Sequence, residues 1–414
     1  MNRERTVLYV DFSIGFGGSS KSLALTLRGL PGIRKLMVTS QEPELVDALF
    51  GDLRSWSFRR SINYKSRDRL QAFMENRLIR VLRKPVLKSY ALLDVLVSLV
   101  HTVRMWRIIR RYDVDIVHMN NGFIPLEAIW AARLTRIPVV VHMRGIVSQQ
   151  RAAVLPPNLR TVDRVIAVSN AAGEHLGPVL PEGRLLTIYD PVDTTEAASV
   201  LCERDKVRAE LGVTESDVLV GIFGRIVEWK GQREFVSAML NALERDARLR
   251  AVIVGDISDG PKSYFDEVTA LINASRYKDR FILTGYREDV ARLYTALDIA
   301  VHASTLPEPF GMVIPEAMAA GVPVIATDAG GPREIITHGL EGLRVPPGDV
   351  RAMTEAILSL SVDPVRRRLM GARGKTAVEC RFTIEQNASS VRRVYEALWQ
   401  ESAEPSAMQA TVRS

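Results

Sequence analysis

Cysteine is nearly absent, with Cys202 and Cys380 the only two in 414 residues, far apart and without ligand-like spacing. That excludes a disulfide framework and fits a reducing compartment. Histidine is scarce as well. The six are scattered, with no pair at helical ligand spacing and no cysteine partner, so no metal is expected. No uninterrupted apolar run approaches the roughly 20 residues of a membrane-spanning helix. The most apolar stretch, 91–100, is broken by Asp94. Residues 1–6 are polar and charged and lead straight into an apolar run, without the apolar core and small-residue cleavage site of a secretory leader. These absences predict a cytoplasmic protein.

What is present is ordinary in bulk and uneven in distribution. Hydrophobic residues make up 47% and charged residues 25%, the proportions of a globular protein with material for more than one core. Residues 1–190 carry 28 Lys and Arg against 16 Asp and Glu, whereas the remainder carries 27 against 32. The first half is therefore basic, and much of the excess lies between Arg54 and Arg111. Such a surface is either a solvated face or a contact for an anionic partner such as a membrane surface, a lipid-linked phosphate or nucleic acid, of which nucleic acid is not expected here.

Apolar, β-rich runs alternate with helix-period segments. In the first half they are 7–12, 35–39, 116–119, 138–142, 165–168 and 185–188; in the second, 218–223, 251–254, 281–284, 299–302, 323–327 and a weaker 342–345. Continuous apolar strands alternating with helices imply parallel sheets covered on both faces. Two such series predict two doubly wound α/β domains, at 1–190 and 191–382, joined near 189–195 where Tyr189-Asp-Pro-Val-Asp193 is turn chemistry. A final helix over 383–400 has no strand after it and is expected to return to the first domain, with 401–414 a disordered tail.

Two motifs are tempting and fail. Gly15-Phe-Gly-Gly-Ser-Ser-Lys21-Ser22 nearly spells a phosphate-wrapping P-loop, but Ser20 stands where glycine must precede the lysine. Gly17 and Gly18 remain either a turn or a backbone-accessible approach to an anion. Asp113-Val-Asp115 looks like a metal-holding pair, yet it precedes the strand at 116–119, opposite the carboxyl ends where ligands bind.

The second half carries the chemistry. The strand at 218–223 ends in Gly224-Arg225, and Lys230-Gly231 opens the next helix. Two cations there can neutralise a diphosphate without a metal, Arg as a planar fork and Lys as a point charge. After the strand at 299–302, Glu308 sits in a Pro/Gly-rich loop and Glu316 lies eight positions on, inside the following helix. A carboxylate accepts two hydroxyl hydrogen bonds at once, which is what a vicinal diol offers. Backbone N–H groups around Phe310, Gly311 and Met312, at the start of that helix, suit sugar or phosphate oxygens.

Glu308 and Glu316 resemble the E-x7-E signature of glycosyltransferase family 4, retaining GT-B enzymes that use nucleotide sugars. The likeness continues through Gly285-Tyr-Arg-Glu-Asp289, Asp298-Ile-Ala-Val-His-Ala-Ser304, Gly321–Asp328 and Gly330-Gly-Pro-Arg-Glu334, and covers most of 217–400. It implies that Glu316 holds the ribose and Glu308 lies near the transferred sugar. It gives Arg225 and Lys230 the diphosphate, and backbone at Phe310, Gly311 and Met312 the sugar and phosphate. Tyr286 and Arg287 would lie beside the base, Gly17 and Gly18 would approach the phosphates, and His142 would face the donor sugar. The implied reaction moves a sugar from a nucleotide-diphosphate sugar to a hydroxyl of a glycan or lipid-linked acceptor, in surface-polysaccharide synthesis, with no cofactor and no obligatory metal. Another nucleotide-sugar enzyme of this fold, an epimerase or phosphorylase, or a non-catalytic nucleotide-sugar-binding module, is the alternative. The first half departs from the family pattern at Arg144, after His142, at Asp190-Pro191, where Asn-Gly is common, and at Asn120-Asn121, where a His is frequent. Residues 66–84 read as a basic amphipathic helix, and Pro85 separates it from a second run through Leu87, Leu92, Leu96, Val100 and Trp106, suiting an anionic membrane surface.

Overall fold

The computed structural model describes residues 3–12, 17–51, 53–58, 83–123, 125–149, 152, 162–257 and 262–411; for 83–94 and 403–411 it describes the backbone alone. Two parallel sheets, each flanked by helices, make two α/β domains. The first sheet contains β1 (Arg5–Asp11), β2 (Ile33–Thr39), β3 (Arg54–Ser57), β4 (Ile116–Met119), β5 (Val139–Met143), β6 (Arg164–Ala167) and β7 (Leu185–Thr187), in the order β3-β2-β1-β4-β5-β6-β7. The second contains β8 (Val218–Phe223), β9 (Leu249–Val254), β10 (Phe281–Gly285), β11 (Ile299–His302), β12 (Val324–Thr327) and β13 (Gly342–Val345), in the order β10-β9-β8-β11-β12-β13. In each sheet the order reverses beside its first strand, and ligands of such sheets bind outside the carboxyl ends at that reversal.

All six residues of β8 are buried, as are all four of β11 and β12, because helices cover both faces. The strand β3 is an addition to the twelve expected. Its RSWS sequence is half-exposed at the sheet edge and lacks the apolar run that reveals an interior strand.

The last helix, Ile384–Thr411, lies against the first domain. Its Ala388, Val391, Val394, Tyr395 and Leu398 share a core with Val7, Tyr9, Leu23 and Leu27. The helix runs to Thr411, past the end expected near Trp399. The chain crosses between domains at 189–193 and again at 382–383, and the crossings lie side by side. The Val192 N–H donates to the Phe382 carbonyl at 2.8 Å, and Val192 bridges Thr383.

The basic helix expected over 66–84 lies, up to residue 82, outside the described residues, and Pro85 falls within the helix Arg83–Arg111. That helix buries Thr102, Met105, Ile108 and Ile109 against the sheet. It leaves Val95, Leu96, Leu99, Val100, Val103 and Trp106 between 38% and 56% exposed. Asp115 is structural: its carboxylate accepts from the Thr6 N–H at 2.7 Å and pairs with Arg3 and Arg5, at the amino-terminal end of β4.

Candidate active site

Glu308 is buried in the loop that follows β11, and every oxygen of its carboxylate is engaged. Oε1 accepts from Lys230 Nζ at 2.6 Å; Oε2 meets His302 Nε2 at 2.6 Å and accepts from Ser304 Oγ at 2.8 Å. Thr327 Oγ1 lies 3.3 Å from His302 Nδ1. An ionised carboxylate only accepts, so His302 presents Nε2–H to Glu308. Burial pushes the Glu308 pKa up, but Lys230 and His302 outweigh it and hold the group well below the usual carboxylate range.

Close backbone approaches set this geometry. Gly231 has φ 73°, and a Cβ there would lie 2.0 Å from the Ala303 carbonyl oxygen, so only glycine lets the Lys230 loop press on the end of β11. Gly330 has φ 71°, and a Cβ there would lie 2.3 Å from the Glu308 carbonyl oxygen. These glycines seat Lys230 and Glu308 against each other.

Glu316 lies in the short helix Val313–Ala319. Its Oε1 accepts from Lys21 Nζ at 2.9 Å, across the cleft from the helix Gly18–Arg28 of the first domain. Its Oε2 accepts from Tyr294 Oη at 3.3 Å, and that ring stacks on Phe223 with centroids 4.2 Å apart. The negative charge of Glu316 is the main cause that raises the Lys21 pKa. Burial, aided by Glu316, pushes the Tyr294 phenol well up, so it stays a donor. At Gly18 a side-chain carbon would lie 3.4 Å from Met312 Cγ, so the two domains nearly touch there.

The first-domain side of the cleft is built differently. His142 is buried on β5, its ring 5.5 Å from that of His118 on β4. His118 Nδ1 meets Tyr395 Oη at 2.5 Å, and Tyr395 in turn donates to Tyr9 at 3.2 Å. Burial, reinforced by Arg144, lowers the His118 pKa to about 3 and moves His142 well below its ordinary value. Both rings are therefore neutral near pH 7. Arg144 forms a buried ion pair with Asp190, donates from Nη1 to Ser22 Oγ at 2.8 Å and from Nε to Asn120 Oδ1 at 2.9 Å. The three departures from the family pattern thus meet at Arg144, which pairs with Asp190 and donates to Asn120.

The remaining expected residues are dispersed. Gly17 is the N-cap of the helix Gly18–Arg28. The Phe310 side chain is buried against Tyr189 and Phe382 at the crossings, which leaves only its backbone to face a ligand. Gly311 takes φ 93° ahead of the helix that carries Glu316. Arg225 is exposed in the loop after β8. Tyr286 is 70% exposed, and Arg287 is paired with Asp289 at 2.6 Å, on the loop after β10. His142 faces His118 and Arg144 rather than either glutamate.

Sequence reasoning overlooked Lys21, His302, Ser304 and Tyr294. Lys21 stood inside the failed P-loop, and Ser20, which spoils that motif, is buried with its hydroxyl 3.0 Å from Asp11 Oδ2. The signal for His302 and Ser304 was their place at the carboxyl end of β11. Also unforeseen is Glu334. Its carboxylate accepts from the Asn170 and Ala171 N–H groups, each at 2.9 Å, and from Tyr189 Oη at 3.2 Å, tying the second domain to the first. Among the described residues no group of three His, Cys, Asp or Glu could hold a metal ion, and no helix is long and apolar enough to cross a membrane.

Two family descriptions match this chain in tandem: "Glycosyltransferase Family 4" over residues 63–196 and "Glycosyl transferases group 1" over residues 203–377. The lipopolysaccharide core biosynthesis mannosyltransferase LpcC of Rhizobium leguminosarum is 29% identical over 71% of this chain and 81% of its own length. Its counterpart LpsB of Rhizobium meliloti is 28% identical over 72% and 83%. Among solved structures, Anabaena HepE in complex with UDP-glucose superposes with a TM-score of 0.76 at 22% identity, over 95% of this chain and 99% of that one. At that identity the likeness speaks for the fold, which is GT-B.

Proposed function

We propose that this chain, a family 4-like glycosyltransferase by the two family descriptions that match it in tandem, moves a hexosyl group from a nucleoside-diphosphate sugar, with retention, to a hydroxyl of a cell-surface glycan of the lipopolysaccharide-core type. The carrying observation is that Glu308 and Glu316 converge on the cleft with a lysine on each, Lys230 and Lys21. Two acceptor carboxylates for hydroxyls and two cations for a diphosphate are what a nucleotide sugar presents and requires.

In this reading Glu316 takes the ribose diol. Glu308, kept ionised, accepts from a sugar hydroxyl and does not act as an acid near pH 7. Lys230 and Arg225 neutralise the diphosphate as the glycosidic bond breaks, the role a divalent ion has elsewhere, so no metal is required. The acceptor hydroxyl attacks from the face that the diphosphate leaves. The names of the relatives favour a mannosyl donor, and the fold neighbour's complex makes UDP-glucose the alternative to test. The exposed apolar stripe of the helix Arg83–Arg111, with Arg104, Arg107, Arg110 and Arg111 along it, supports docking on an anionic leaflet, where a lipid-linked acceptor would be met.

Thermal shift with GDP-mannose, UDP-glucose and the free diphosphates tests the donor, since a ligand of the native state raises its stability as RT ln(1+[L]/Kd). The true donor raises the midpoint and is consumed only with an acceptor, with EDTA making no difference. Isomerisation of donor alone, or loss of turnover in EDTA restored by manganese, overturns the transfer or the metal-free reading respectively.

A further inference from the structure

The lysine on Glu316 comes from the wrong side of the cleft to be a mere neighbour of that residue. Lys21 belongs to the first domain, 295 positions away, in the first turn of the helix Gly18–Arg28, directly behind the Gly17–Gly18 loop. Its ammonium lies 2.9 Å from Oε1, while Tyr294 occupies Oε2. Lys21 is part-exposed and Glu316 largely buried, so the pair spans the mouth of the cleft rather than its floor. A vicinal diol presents two hydroxyl donors to a carboxylate. Lys21 holds Oε1 across the cleft, so a ribose hydroxyl that approaches that oxygen competes with the ammonium.

We propose that Lys21 is a donor-binding residue that works by exchange: it pairs with Glu316 while the cleft is empty and passes to the donor's diphosphate as the ribose claims the carboxylate. The inference rests on the nucleotide-sugar reading of this cleft. The move conserves charge pairing, because the ammonium leaves one carboxylate for a phosphate oxygen and Glu316 exchanges an ion pair for two hydroxyl hydrogen bonds. Lys230 stands in the same relation to Glu308 within the second domain. Lys21 differs in joining the two domains, so the exchange ties domain approach to the presence of a diphosphate. A nucleoside without phosphates must displace Lys21 and gives it nothing in return.

The test is isothermal titration of wild type, Lys21→Met and Lys21→Arg with UDP, GDP, uridine and guanosine. Lys21→Met should bind the diphosphate about tenfold more weakly and the matching nucleoside more tightly, so that the ratio of the two affinities falls by more than tenfold. Lys21→Arg, which keeps the cation, should restore most of the diphosphate affinity. Equal changes for diphosphate and nucleoside in Lys21→Met, or no change in either, overturn the exchange while leaving the donor reading intact. If wild type binds neither UDP nor GDP, the donor reading itself falls, and the exchange with it.

Discussion

The two domains repeat one architecture with opposite chemistry at their facing edges. In the second domain the cleft is charged: Glu308 is held by Lys230 and His302, and the carboxylate of Glu316 is available to a partner across the gap. In the first domain the matching side carries neutral buried groups, His118 and His142 on strands with Tyr9 and, from the last helix, Tyr395 beside them, a buried ion pair, Arg144–Asp190, and the cation Lys21. The difference teaches that a common sheet order does not distribute function evenly. The second domain places most of its cleft polar groups where a ligand can meet them, and the first, Lys21 apart, uses them to hold itself and the crossings together.

The largest expected effect breaks the first domain. Arg144→Met leaves Asp190 buried and uncompensated, which should destabilise by about 3–5 kcal/mol. Asp190→Asn in the same background should recover much of that loss. Urea unfolding of the single and double variants measures it, and a neutral Arg144→Met would show that the pair holds nothing.

Next come the glutamates. Glu316→Ala should weaken donor binding and Glu308→Ala should mainly lower turnover, each by about 1.5–3 kcal/mol, the cost of losing a charged hydrogen-bonding group. Steady-state kinetics separates the two, and wild-type constants in both variants would remove the chemistry from the second domain.

Acid should then divide the halves. The folded pKa of His118 is about 3, against about 6.5 unfolded, so the unfolded chain takes up its proton first. Its stabilising contribution is complete above about pH 6.5 and declines as pH falls towards 3. His142, also depressed, adds in the same direction. Glu308 is a depressed carboxylate, and its contribution begins to be lost only below its unfolded value near 4.5. Melting temperatures between pH 7 and 5 should therefore fall in wild type and fall less in His118→Asn. An unchanged slope would place the acid response outside His118.

The smallest effect is at the surface. An Arg near an anionic leaflet contributes about 1 kcal/mol, so replacing Arg107 by Gln should weaken binding to anionic vesicles about fivefold. Binding that ignores lipid charge or salt would leave the exposed stripe without a membrane role.

Much of the architecture was legible because its cause is local. Buried parallel strands are continuous apolar runs, so β4, β8, β11 and β13 could be bounded from their residues alone. By the same token β3, short and polar at an edge, was not visible. The E-x7-E spacing and the Arg225 and Lys230 loop likewise sit within single strand–loop–helix units, where sequence neighbours are spatial neighbours. By itself, then, the sequence determined two doubly wound domains and a family 4 pattern in the second. Only the tertiary structure decided what each carboxylate touches. Lys21 meets Glu316, Arg144 meets Asp190, and Tyr395 meets His118 across separations of 295, 46 and 277 positions. A charge or a buried hydroxyl needs a partner within hydrogen-bond reach, and no local pattern specifies which distant residue the fold will bring there.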